Sequence, residues 1–175
     1  RKDITKKNRV EDRMSEPLKL RVIDEDDLAV LATVLQDALV PVQDMSFLAA
    51  ENRFVLVANR FCWERLPATS LDAAADFEHA GSEAAGPYER VHCGLTIEHV
   101  KKVQTWGFSP TKYDDTEKLF EVLTIQTDEG GLNLLFAGGA AVRIETDRLE
   151  ILVRDVGEPW PTLWRPQHPF DDAGG

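Results

Sequence analysis

Apolar and polar residues alternate along most of this chain, and helical spacing occurs clearly only once, near the start. Leu18, Leu20 and Val22 alternate with Lys19, Arg21 and Ile23, which predicts a short strand with one apolar face. Asp24 to Asp27 reads as a helix start. An aspartate N-cap accepts from the first free amides, and further acids suit the positive end of the helix dipole. Leu28, Leu31, Ala32, Leu35 and Leu39 then recur at three- and four-residue spacing, predicting one main helix over about 24–39. Asp37 and Pro41 mark its end, because proline disfavours helix in the residue before it.

Strand patterns fill most of the remainder. Residues 46–50 and the run RFVLVANRFCW from Arg53 to Trp63 predict two strands joined by a Glu51-Asn52 turn. Phe54, Leu56 and Ala58 share one face while Val55, Val57 and Phe61 lie on or near the other, the pattern of a central strand covered on both sides. Val91, Cys93, Leu95 and Ile97 alternate with polar residues, and Val100 to Phe108 is expected to pair with them through a turn near Glu98-His99. From Lys118 onward the pattern predicts a four-stranded meander. Asp128 to Gly131 and Gly138-Gly139 supply two turns, and the Thr146-Asp147-Arg148 corner leads into Leu149, Ile151 and Val153.

These elements specify an α+β fold: a β-rich antiparallel curved sheet or partly open barrel with the helix packed on one face or across one end. Two small stacked sheets are the alternative. A single globular domain is expected over 18–168, preceded by a basic flexible leader at 1–17 and followed by a flexible tail at 169–175. Within it, residues 67–87, PATSLDAAADFEHAGSEAAGP, contain no Lys or Arg and break the strand pattern, so a mobile Ala-rich loop is expected there.

Charge narrows the function classes. The 175 residues carry a net charge of −11, yet the first seventeen hold six basic and four acidic side chains. The remaining chain is therefore at −13, a body that repels phosphate backbones and argues against nucleic acid as a partner. No apolar run reaches the roughly 18 residues of a membrane helix, so no membrane role is expected. Two cysteines far apart, Cys62 and Cys93, are read as reduced thiols packed in strands.

Few residues offer convergent chemistry. Gly138-Gly139 leads into a strand rather than a helix, which suits a hairpin and not a phosphate loop. The acidic run Asp24 to Asp27 lacks the turn glycine and terminal glutamate of a calcium loop, and His92 and His99 do not share a strand face as a metal pair. No metal and no cofactor are expected. The C-terminal segment Gly157 to His168 stands out, since its alternating prolines stiffen an extended stretch able to present aromatic rings. Trp160, Trp164 and His168 are accordingly the candidate binding residues, with burial of both tryptophans as a seal over the sheet end the competing reading.

Several separated motifs also resemble one bacterial family. Leu35-Gln36-Asp37-Ala38, Asn59-Arg60-Phe61 with Trp63-Glu64, LLFAGGAAVRIE from Leu134 to Glu145, Asp155-x-Gly157, Trp160, and Pro166-x-His168 occur in the order found in the domain of unknown function 2948 family, over about 18–168. The resemblance implies a bacterial, cytoplasmic protein and supplies no established activity, catalytic residues or cofactor.

The leading expectation is a non-enzymatic accessory or binding domain for a small-molecule or protein partner. The second is an enzyme with a site assembled from His92, Glu98, Cys62 and His168, which requires those side chains to converge. A third is a structural homodimer through an exposed sheet edge.

Overall fold

The computed structural model describes residues 16–66 and 86–166. Residues 1–15 of the expected leader, 67–85 of the Ala-rich stretch, and the segment containing His168 and the tail lie outside the described residues. The strands are β1 (Lys19–Val22), β2 (Leu39–Pro41), β3 (Met45–Leu48), β4 (Arg53–Phe61), β5 (Tyr88–Ile97), β6 (Val100–Trp106), β7 (Leu119–Asp128), β8 (Gly131–Phe136), β9 (Ala141–Thr146) and β10 (Ile151–Thr162). They form one antiparallel sheet in the order β1-β10-β5-β4-β2-β7-β8-β9-β6, with β3 paired to β4, and the sheet does not close into a barrel. The fold is α+β with one main helix, as the periodicity predicts.

That helix, α1 (Glu25–Leu35), starts where Asp24 accepts the Asp27 amide on its side chain at 2.8 Å, and Glu25, Asp26 and Asp27 occupy the first turn. Leu28, Leu31 and Leu35 are buried in a core shared with β1, β4 and β7. The helix ends four residues before the leucine spacing suggests. Gln36 turns extended and Asp37 adopts left-handed geometry (φ 59°), a conformation that aspartate tolerates better than most residues. Leu39 therefore belongs to β2, where it pairs with Asn59 of β4 and Glu121 of β7.

Two pairings differ from those expected. β7, β8 and β9 form a meander, and Gly138 and Gly139 make the second turn with φ of 82° and 87°. The fourth strand, β10, does not join it. The far edge of β9 is taken by β6, so β10 crosses to the other half of the sheet and pairs with β1 and β5. β5, flanked by β4 and β10, has no edge left for β6; His99 (φ 60°) redirects the chain between them. Periodicity identifies strands but not neighbours. β4 also alternates rather than being covered on both faces: Phe54, Leu56 and Ala58 are buried, while Val57 is exposed. A short helix, α2 (Tyr113–Thr116), lies between β6 and β7.

Candidate functional site

The sheet half β1-β10-β5-β4 sets its core face by register: Phe54, Leu56, Ala58 and Arg60 of β4 lie beside Ile97, Leu95, Cys93 and Val91 of β5, and Ile151, Val153 and Asp155 of β10 continue the same rows. Two charged residues therefore occupy inward slots at one end. Arg60 Nε and Nη2 donate to the two Asp155 carboxylate oxygens at 2.7 Å each, and Nη1 and Nη2 reach Glu64 at 3.1 and 2.8 Å. Asp155 also accepts the Leu18 amide at 2.8 Å, and its own amide donates to the Leu18 carbonyl at 2.9 Å. Burial works against the Arg60 charge, but hydrogen bonds and charge from Asp155 and Glu64 outweigh it and raise the guanidinium pKa. Every charge here has a partner, so this cluster is a clamp on the N-terminal strand rather than a seat for a ligand.

The opposite face of the same end is built differently. Phe61 pairs with Arg90, and Arg90 with Trp160. A register shift between Val156 and Trp160, which includes Gly157 at φ 76°, re-aims the last part of β10. Trp160 packs on the His92 ring at 4.6 Å between centroids, and Phe61 touches Trp63 at 4.6 Å and Tyr88 at 5.8 Å. Arg90 lies over Phe61, 5.7 Å from its centroid, and is only 7% exposed. Its Nη1 donates to the Asn59 carbonyl at 3.0 Å, and among the described residues it forms no ion pair with a carboxylate. Burial pushes its pKa down, opposed by the nearby charges of Asp37 and Glu121.

Arg90 lines a cavity of about 260 Å³ with Asp37, Leu39, Glu121, Trp164, Arg165 and Pro166. Asp37 reaches it because of its left-handed backbone at the end of α1, and Leu39 and Glu121 face each other across β2 and β7. The segment after β10 covers it: Pro166 is buried, Trp164 is 75% exposed, and Arg165 Nε is buried without an acceptor among the described residues. Gly86 lets this segment approach, since a Cβ there would lie 2.3 Å from the Thr162 carbonyl oxygen. A larger groove of about 630 Å³ over Lys19, Arg21, Gly94, Thr96, Leu152 and Arg154 contains no buried charge.

The chain is matched over residues 18–168 by the model of a family described as Protein of unknown function (DUF2948). It belongs to that family. No curated protein and no solved structure matches it. Two motifs that carry the resemblance meet in space in this family member, since Arg60 of one binds both Glu64 of the same motif and Asp155 of the other.

Of the candidate residues, Trp160 is half-buried against His92, Trp164 forms a wall of the cavity, and His168 lies outside the described residues. His92, Glu98 and Cys62 occupy separate surroundings. Glu98 follows His92 by six residues, roughly 20 Å along a strand, and binds Arg53 Nε at 3.0 Å. Cys62 is buried, and burial pushes its thiol up to about 11. Arg60, Arg90 and Asp155 were not singled out from the sequence. For Arg60 and Asp155 the signal was a charged residue in an alternation otherwise filled by apolar ones, visible once the inward slots are counted from Phe54 and Ile151, whereas Arg90 lies on the other face and carries no such signal.

Proposed function

We propose that this protein is a non-enzymatic small-molecule-binding domain whose ligand sits in the cavity under residues 164–166, with an acidic group on Arg90. One observation carries the reading: a guanidinium 7% exposed with a single hydrogen bond and no carboxylate partner among the described residues. A buried cation costs free energy until an anion and further acceptors meet it, so such a group favours an incoming oxyanion. The unaccepted Arg165 Nε at the same cavity and the exposed Trp164 wall support it. About 260 Å³ suits a small metabolite rather than a peptide.

Two unpaired buried cysteines fit a reducing, cytoplasmic compartment. No helix among the described residues is long and apolar enough to cross a membrane.

The test is a thermal-shift screen of small carboxylates, phosphates and amines. A true ligand at a hundredfold excess over its Kd adds about 2.7 kcal/mol, a Tm rise of roughly 5–10 °C for a domain this size. Trp164→Ala, a change at an exposed residue, should weaken that ligand without lowering the Tm of the free protein. A screen in which no oxyanion raises the Tm removes the reading.

A further inference from the structure

We infer that the outer face of strands β1, β10 and β5 docks an acidic, amphipathic α-helix of a partner protein. This surface shares no lining residue with the cavity at Arg90. Register assembles it in rows that run across the sheet. Val57, Gly94, Arg154 and Lys19 form one row, and Val55, Thr96, Leu152 and Arg21 form the next. Each row begins with a valine on β4, passes a small residue on β5 and ends with a cation on β1. Leu152 and Val156 stand exposed on β10 and Val57 on β4, while Gly94 and Thr96 line the groove of about 630 Å³.

Gly94 points to an occupant. It sits in unbroken register with both neighbouring strands, and its backbone is not left-handed. A Cβ there would meet the Arg154 carbonyl oxygen and a Val156 methyl carbon at 3.8 Å each, an ordinary contact distance. The backbone therefore does not require glycine. A glycine inside a strand weakens it and suits a place where another surface approaches closely. Charge fixes the sign of that surface. The chain carries −11, yet this edge concentrates Lys19, Arg21 and Arg154. Arg21 binds Glu150 at 2.8 Å, whereas Lys19 and Arg154 form no ion pair among the described residues. An acidic partner complements them.

Shape selects a helix. The walls are exposed, so a small molecule would be covered on one side only, and a strand added to the β1 edge would leave Leu152 and Val156 bare. A helix about 10 Å across matches the span of roughly 10 Å from β1 to β5, two strand spacings, and helices commonly cover sheet faces. Its apolar stripe rests on Leu152, Gly94 and Val156, and its acids lie on the flank toward Lys19 and Arg154. An anionic bilayer fits less well, because its flat surface would also meet Asp24, Glu25 and Asp26, all exposed and close behind β1.

Fluorescence anisotropy of the full chain with three labelled peptides of about 18 residues, five helical turns, tests this. The first is an amphipathic helix with a leucine stripe flanked by glutamates. The second carries lysine in place of each glutamate, and the third scrambles the first at constant composition. The acidic helix should bind roughly tenfold tighter than either control, the range of one or two charged hydrogen bonds. Lys19→Gln with Arg154→Gln should remove that preference without lowering the Tm. Gly94→Val should fill the groove and weaken the acidic helix by roughly tenfold, while the Tm holds or rises because valine favours a strand.

An acidic helix that binds no better than its lysine or scrambled counterpart overturns the inference, as does native affinity in Gly94→Val. Cosedimentation with phosphatidylglycerol vesicles that is lost in the Lys19→Gln, Arg154→Gln variant would assign the face to a membrane and overturn the protein partner. None of these outcomes bears on the cavity at Arg90.

Discussion

Replacing Arg60 with alanine should be among the most damaging single changes in this domain. The side chain is 3% exposed and makes four hydrogen bonds to two carboxylates. Its loss affects those partners unequally. Glu64 is 53% exposed and rehydrates, so its share is at most about 1 kcal/mol. Asp155 is 6% exposed and would lose its guanidinium partner while keeping the Leu18 amide, an uncompensated buried charge costing about 3–5 kcal/mol. At 2–4 °C per kcal/mol for a chain of this length, the Tm should drop by roughly 6–20 °C. Urea denaturation followed by far-UV circular dichroism measures the same quantity through the midpoint. The paired change Arg60→Met with Asp155→Leu should be less destabilising than Arg60→Ala alone, because neither charge is then stranded. A loss below about 1 kcal/mol for Arg60→Ala, or strictly additive effects in the pair, would refute the stranded-charge argument.

Other expectations follow from equally local features. Cys62 and Cys93 are buried, with thiols pushed up to about 11 and about 12 mainly by burial, so neither should react with a thiol reagent at pH 8 until the protein is unfolded, when both should. Hydrogen bonds from His99 and Arg21 pull the Glu150 carboxyl from 4.5 down to about 2. A depressed folded value means its stabilisation is full above about pH 4.5 and fades as pH falls toward 2, so the Tm gap between the native protein and Glu150→Gln should close over that window. Gly86→Ala would drive a methyl into the Thr162–Leu163 backbone and displace the segment over the cavity. Ligand binding should fall more than the Tm does, read by thermal shift with and without ligand.

The strands, the helix start and the turns were legible because each is fixed by local chemistry: the Asp24 cap, the glycines at 138 and 139, the alternation from Phe54 to Ala58. Strand neighbours were not, since the four-strand meander and the β5–β6 hairpin each satisfied the local pattern as well as the true pairing does. The end of α1 was misplaced for a related reason. Leu39 keeps the helical spacing by coincidence while Asp37 has already turned the backbone. The candidate site was half legible. The aromatic tail drew attention to Trp164, but Arg90 and Asp37 are ordinary in sequence and become unusual only through burial.

The position of β10 governs how this chain must be assembled during synthesis. Lys19 is partnered by Arg154, so the first strand waits for nearly the last one. Until residue 162 has left the ribosome, β1 has no mate and one edge of β5 stands open, while β6 to β9 possess all their mutual contacts. Such long-range closure is slow and leaves an unpaired apolar strand exposed meanwhile. A chain cut short at about residue 150 should therefore aggregate rather than fold, even though it retains α1 and nine of the ten strands of the intact sheet.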